Sequence, residues 1–243
     1  MRLLLFADGV VGTEIARFII QNYFQDIFLI VTIDDNKIYQ EAKDKGIPVC
    51  IFESEQDIIT KATSGIDLGF LAWWPKIIKD PLLDLPLMGF VNTHPSLLPH
   101  NRGKHYNFWA LVEQAPFGVT LHRVDSGVDS GEIVAQECVD YDWCDTGETL
   151  YKKAQIAMLD LFRKTYPILR TKKFFSKPQS AHEGSFHRAS ELESASNISL
   201  DTKYRARDLL NLLRARTFKG HPGCWFEEDG SRFEISISIT KVN

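Results

Sequence analysis

Residues 88–109 read MGFVNTHPSLLPHNRGKHYNFW, and the reading of this stretch decides the fold. Its apolar start continues through GFVNTH as a strand, and Pro95 and Pro99 follow at once. Proline cannot continue a ladder or a helix interior, so the chain after His94 is a stiff loop. The loop carries Asn101, Arg102, Lys104 and two histidines, and is either a surface connection or a polar site built on a scaffold.

Upstream, MRLLLFA is a short strand and DGVVGTEIARFIIQNY follows with helical spacing. DIFLIVTID is a second strand, ahead of a helical NKIYQEAKDKG; IPVCIF, a helix around EQDIITKAT and the strand IDLGFLAWW extend the alternation. Apolar strands alternating with amphipathic helices predict an α/β fold, its parallel-rich sheet covered on both faces. The proline-bearing loop leaves the carboxyl end of GFVNTH, where open α/β sheets place their ligands.

Downstream, HYNFWALVEQ reads as a helix, and FGVTLHRV and EIVAQECV as strands around DSGVDSG. DTGETLYKKAQIAMLDLFRKTYPIL is a long amphipathic helix, capped by Asp145 or Thr146, with Glu148 in its first turn. Residues 172–200 are polar and read as a surface connection. A helix, TKYRARDLLNLLRARTF, and two strands, GCWFEE and RFEISISIT, close the chain, with Asp229-Gly230 as a hairpin turn. The expected division is a core at 1–171, a connection at 172–200 and a helix-plus-hairpin appendage at 201–243. Phe233, Ile235, Ile237 and Ile239 fall on one face of the hairpin, which must pack on the core or on another chain.

The 243 residues suffice for one large domain, or one domain and a small appendage. A net charge of −4 gives no global basic field, so neither nucleic acid nor an acidic membrane surface is an expected partner. No apolar run approaches the roughly 20 residues that span a bilayer. Cys50, Cys138, Cys144 and Cys224 form no CxxC pair, and with no signal-like stretch at the start they read as reduced thiols of a cytoplasmic chain.

DGVVGTEIA lacks the full G-x-G-x-x-G, so its glycines read as a strand–helix turn, not a dinucleotide site. His100 and His105 share a loop with neither carboxylate nor cysteine, and Arg102 and Lys104 between them would repel a cation. No metal is expected. Asn92 and His94, two apart at a strand end, project to the same side. Asp129 lies in a glycine-spaced turn between two strands, where a carboxylate can be held against an imidazole. An amide donor, an imidazole and a carboxylate are the parts that acyl transfer to an amine requires: the first for the oxyanion, the second for the proton, the third to orient the second.

With NTHPSLLP at 92–99 and DSGVDSGEIVAQ at 125–136, the chain resembles the folate-dependent formyltransferases, whose core motif is Asn-x-His-Pro-Ser-x-x-Pro with a later Asp. The resemblance covers roughly residues 1–170 and is most specific across 88–137. PHNRGKHYNFWAL, FGVTLH, QSAHEGSFH and LLNLLRARTF are similar to the subgroup that formylates amino sugars carried on nucleotides. The resemblance implies a Rossmann-like formyltransferase core with a small C-terminal helix and β-hairpin. It implies Asn92, His94 and Asp129 as catalytic residues, and N10-formyltetrahydrofolate as co-substrate without a metal. The formyl group would pass directly, with no acyl-enzyme, to the amine of a dTDP-linked or similarly activated amino-deoxy sugar. His94 would serve as base or as oxyanion partner. Lys76 and Ile78, with Val124, Asp125, Ser126 and Gly127, would line the pterin pocket, largely through backbone groups. Asn101, Arg102, Gly103, Lys104 and His105 would meet the sugar nucleotide, with cations suited to a diphosphate, and Trp225 would stack on its base or serve packing. His122 would stand beside the site, in a structural or a direct role, and Trp73 and Trp74 would serve packing. Related sugar enzymes are commonly dimers, which implies a hairpin-mediated homodimer.

Two other activities share the motif. Methionyl-tRNA formyltransferase carries a larger C-terminal domain and basic surface for tRNA; glycinamide ribonucleotide formyltransferase is shorter and lacks the RGKH loop and hairpin tail. A non-enzyme alternative is a nucleotide-sugar-binding module without catalysis.

Overall fold

The computed structural model describes residues 1–62, 65–180 and 183–242. Thr63 at the end of the expected third helix, Ala181 and His182 of the QSAHEGSFH stretch, and Asn243 of the tail lie outside the described residues. The chain divides into two compact units. The first comprises Met1–His94, Thr120–Gln136 and Met158–Gln179; the second comprises Pro95–Val119, Glu137–Ala157 and Ser180–Asn243.

The first half of the chain runs β1 (Leu3–Ala7), α1 (Gly9–Asn22), β2 (Ile27–Thr32), α2 (Lys37–Asp44), β3 (Val49–Ile51), α3 (Glu55–Lys61), β4 (Leu68–Ala72) and β5 (Phe90–His94). It continues with β6 (Arg102–Gly103), α4 (Tyr106–Glu113), β7 (Gly118–Arg123), β8 (Ile133–Cys138) and α5 (Gly147–Leu169). The remainder forms β9 (Phe186–His187), α6 (Glu191–Ala195), α7 (Ala206–Arg216), β10 (Cys224–Glu228) and β11 (Ser231–Ile235).

Seven strands form one sheet in the order β3-β2-β1-β4-β5-β7-β8. β3 through β5 pair parallel, and β7 runs antiparallel to β5. Every residue of β1 and β4 is buried, as strands covered on both faces require. One face carries a core of Leu4, Phe6, Val31, Leu71, Trp74 and Phe90, in which Phe6 meets Trp74 edge-on at 5.0 Å. Gly69 on β4 makes room for the neighbouring strand: a Cβ there would lie 2.3 Å from the Phe90 ring. Elsewhere in this unit Phe162 of α5 packs edge-on against Phe70 and Phe18.

β5 is locked to β4 beyond the ladder. Thr93 Oγ1 donates to the Leu71 carbonyl (3.2 Å) and accepts from the Trp73 amide (2.8 Å), fixing the strand end that presents Asn92 and His94. The helix of the first unit that was expected around 55–63 is capped by Ser54, whose side chain accepts from the Asp57 amide.

In the second unit, β10 and β11 pair antiparallel from Cys224↔Ile235 to Glu228↔Ser231. Asp229 and Gly230 both have positive φ (50° and 73°), the requirement of a type I′ turn. The hairpin and α7 share a small core of Ile198, Leu213 and Cys224, joined by Leu209, Leu212, Phe226, Ile235 and Ile237. Phe233 stacks on Phe226 at 5.2 Å and remains 46% exposed. α7 begins at Ala206, later than its spacing predicts, with Asp208 in its first turn and Arg214 and Arg216 in its last, each complementing the helix dipole. β11 stops at Ile235 although the apolar alternation runs on to 239. The polar stretch 172–200 contains β9, which pairs parallel with β6, and the short helix α6.

Candidate active site

The register of β5 on β7 sets Asn92 opposite His122 and His94 opposite Thr120. Asn92 Nδ2 lies 3.2 Å from His122 Nε2, and His122 Nδ1 lies 2.8 Å from the Arg123 carbonyl. A carbonyl only accepts, so Nδ1 carries the proton and donates to it. In the tautomer protonated at Nδ1 alone, Nε2 holds a lone pair and accepts from the Asn92 amide. This contact fixes the amide nitrogen toward His122 and leaves Asn92 a second N–H.

Asp129 faces both histidines. One carboxylate oxygen is 3.4 Å from His94 Nδ1 and the other 3.5 Å from His122 Nε2, with all three side chains largely buried. The first distance exceeds that of a tight hydrogen bond, yet suffices for the carboxylate to stabilise a positive charge on His94. With Nδ1 turned to Asp129, His94 directs Nε2 away from the carboxylate.

The turn that carries Asp129 is shaped by its own residues. Asp125 Oδ1 accepts from the Gly127 amide (3.0 Å) and from Ser130 Oγ (2.8 Å). Gly131 approaches the end of β7 so closely that a Cβ would lie 1.9 Å from the Arg123 carbonyl oxygen. Asp129 itself has φ 52°, a left-handed conformation that is costly for a residue with a side chain.

The residues expected at the pterin fall in the same unit with different surroundings. Val124 donates its amide to the Phe90 carbonyl (2.9 Å), while Asp125, Ser126 and Gly127 are exposed. Lys76 is exposed, with its ammonium 4.7 Å from the Phe52 ring centroid. The Ile78 side chain is buried in the sheet core. Trp74 is packed in that core as well; Trp73 has φ 57° and is half-buried.

The second unit holds the residues expected at the sugar nucleotide. Asn101 is fully buried, its Nδ2 donating to Glu113 Oε2 (2.7 Å) and Ser185 Oγ (3.2 Å), so its side chain anchors the loop. Gly103 has φ 87° and pairs with His187; a Cβ would lie 2.2 Å from the His187 carbonyl oxygen. His187 stacks on Trp109 at 3.8 Å and sets its two nitrogens 2.7 Å from Glu113 Oε1 and 3.1 Å from Glu191 Oε2. Lys104 is exposed, and the buried Nε of Arg102 has no hydrogen-bond partner among the described residues. Burial lowers the His105 pKa from its ordinary value, and the charges of Arg216 and Lys104 add to the shift. Trp225 donates Nε1 to the Glu193 carbonyl (3.4 Å), and the Arg232 guanidinium sits 4.2 Å from its ring centroid. Of the four arginines on or beside α7, Arg214 is buried, donating to the Asp142 and Asp145 carbonyls and to Asn211 Oδ1.

Sequence reasoning weighed His122 without giving it a place among the catalytic residues, and it quoted Gln179 only as the first residue of QSAHEGSFH, with no role assigned. Gln179 Nε2 donates to the carbonyls of Asp129 (2.8 Å) and Gly131 (2.7 Å). The quoted stretch gives no sign of these two contacts, which follow from the tertiary fold.

Residues 2–163 match the family model described as formyl transferase, and residues 191–241 match the N-formyltransferase dimerization C-terminal domain. Among curated proteins, the chain is similar to the bifunctional polymyxin resistance protein ArnA of Wigglesworthia glossinidia brevipalpis, at 28% identity over 240 residues and 93% of this chain. It spans 36% of that relative's length. Among solved structures, a sugar N-formyltransferase from a Shewanella species superposes with a TM-score of 0.83 at 23% identity, covering 100% of this chain and 99% of the other. The formyltransferase PseJ from Anoxybacillus kamchatkensis, in complex with UDP-4,6-dideoxy-4-formamido-L-AltNAc and tetrahydrofolate, gives 0.60 at 25% identity, covering 80% and 89%. The first of the two family matches takes in every strand of the sheet, together with Asn92, His94 and Asp129, and the chain belongs to the formyl transferase family.

Proposed function

We propose that the protein is an N-formyltransferase that moves a formyl group from N10-formyltetrahydrofolate to the amine of a nucleotide-linked amino-deoxy sugar. One observation carries the reading: Asn92, His94 and Asp129 converge, with the Asp129 carboxylate 3.4 Å from His94 Nδ1. The family match supports it, as does the similarity to a relative bound to a formamido sugar nucleotide and tetrahydrofolate.

In this reading N10-formyltetrahydrofolate supplies the formyl group as a substrate, and the acceptor amine attacks the formyl carbon directly. The new N–C bond forms, the bond to N10 breaks, and no acyl-enzyme intervenes. The second N–H of Asn92 hydrogen-bonds the developing oxyanion, an interaction of the kind worth about 3 kcal/mol when lost. His94 Nε2 takes the proton that the amine sheds, and Asp129 holds the ring and stabilises the imidazolium. His122 keeps the Asn92 amide turned in one direction. The exposed backbone of the turn at 125–127 and the ground around Lys76 and Ile78 are the assigned folate contacts.

In the second unit, Arg102, Lys104 and His105 are assigned to the acceptor's diphosphate and sugar, cations matched to phosphate oxygens. The match at 191–241 and the exposed Phe233 support a homodimer formed through the tail. The four cysteines are unpaired, which suits a reducing, cytoplasmic setting; no helix among the described residues is long and apolar enough to cross a membrane. The test is acceptor-dependent release of tetrahydrofolate from the formyl donor, followed spectrophotometrically. Release with an amino sugar nucleotide, and none with its hydroxyl counterpart, is the expected result; equal release with both would contradict the reading.

A further inference from the structure

The turn that presents Asp129 is held from behind by a segment far along the chain. Ile133 and Lys177 exchange both backbone hydrogen bonds, at 2.7 and 2.8 Å, and Arg123 Nε donates to Ser176 Oγ at 3.0 Å. This short bridge sets the register of 176–179 on the start of β8 and brings the Gln179 amide to the turn. Its Nε2 then donates one proton to the Asp129 carbonyl and the other to the Gly131 carbonyl. Both partners only accept, so the amide can face them in one orientation alone.

We propose that Gln179 is a positioning residue for the reaction: it holds the backbone of Asp129 in its left-handed conformation and thereby keeps the carboxylate against His94. The inference rests on the formyl-transfer reading. Three features support it beyond the contacts themselves.

First, Asp129 has φ 52°, a conformation that persists only where the surroundings over-determine it. The hydrogen bonds of Asp125 organise the front of the turn, and Gln179 takes hold at Asp129 and Gly131. Second, the arrangement leaves Gln179 Oε1 buried without a hydrogen-bond partner among the described residues, a cost that ordinary packing tends to remove. Third, a lysine or arginine could satisfy the same two carbonyls, but would bring a cation to the residue whose negative charge must stabilise His94. A neutral amide supplies the two donors and leaves the charge of the Asp129–His94 pair unaltered.

The test combines Gln179→Leu with Asp129→Asn in the full chain. Gln179→Leu alone is expected to lower kcat about 10- to 100-fold, the scale of a misplaced acid–base group, with the KM of donor and acceptor each changed less than about threefold. In the double variant it should add almost nothing to Asp129→Asn, because both changes disable one device. Multiplicative losses, or a loss carried by KM, would overturn the proposal, since a residue that only stabilises the fold acts independently of Asp129. Hydrogen exchange over 125–131 gives a reading that needs no activity: Gln179→Leu should speed exchange there, and unchanged exchange would overturn the proposal even if the wild-type chain transferred no formyl group. Gln179→Glu serves where the leucine variant does not fold; it keeps the size and, once ionised, offers no donor. The same kcat loss, non-additivity and faster exchange are expected of it, and their absence has the same meaning.

Discussion

The side-chain nitrogen of Asn92 lies 3.2 Å from Nε2 of His122, and this contact decides which way the Asn92 amide faces. His122 is held in turn by the Arg123 carbonyl, 2.8 Å from its Nδ1. Replacing His122 with Phe keeps the ring volume in this buried position and removes the acceptor. The amide is then free to turn its oxygen toward the substrate. We expect kcat to fall about 10- to 100-fold while both KM values hold, because the interaction lost belongs to the transition state. Steady-state kinetics in both substrates checks this; an unchanged kcat would reduce His122 to packing.

A second prediction concerns the acceptor. Arg102→Gln and Lys104→Gln together should raise the acceptor KM by about tenfold or more and leave the donor KM within about twofold, the expectation for cations that meet a phosphate. Initial-rate titrations of each substrate in turn separate the two. An equal rise in both, or in neither, would return the loop at 101–105 to a surface turn.

The tail should hold two chains together. Phe233 is 46% exposed while Ile235 and Ile237 are already committed to the small core with Leu213 and Cys224. Phe233→Lys therefore leaves Ile235 and Ile237 in place, gives up only the stacking on Phe226, and puts a charge on the remaining apolar surface. Light scattering should give a dimer mass for the wild type and a monomer mass for the variant. A monomer in both cases would defeat the assignment.

His105 should give the protein an acid-sensitive element. Its pKa is lowered in the fold by burial and by Arg216 and Lys104, so the unfolded chain binds the proton first as pH falls below its ordinary value of 6.5. Stability then declines from about pH 6.5 down to the folded-state pKa, and this group adds no slope above that window. His105→Gln should narrow the difference between melting temperatures at pH 7.5 and pH 5.5. The same difference in both proteins would show that His105 does not titrate as described.

How much of this could be read from residues alone depends on the kind of feature. The parallel strands were legible because LLLFA and LGFLA are apolar throughout, as strands buried on both faces must be. Asp229-Gly230 announced its turn through the one backbone conformation that suits it. The pairing of β6 with β9 and the helix α6 were not legible, since two and five residues are too short to show a period. Asn92 and His94 stood out by spacing, but the place of His122 follows from the β5–β7 register, which sequence spacing does not contain. Arg214 is one of several arginines in TKYRARDLLNLLRARTF, and its burial on the Asp142 and Asp145 carbonyls depends on tertiary packing, which the spacing does not contain. Trp225 read as stacking on a base or as packing, and the Arg232 guanidinium over its ring depends on the hairpin pairing, which spacing does not contain.

The most direct test of the central claim is mass spectrometry of a panel of nucleotide-linked amino sugars incubated with the protein and N10-formyltetrahydrofolate. The expected result is the mass gain of one formyl group on an amino sugar, dependent on the donor and absent from the hydroxyl analogue. His94→Ala and Asp129→Asn should each slow the gain by about 100-fold or more. Sugar-nucleotide binding without any formyl gain, or full activity in both variants, would contradict it.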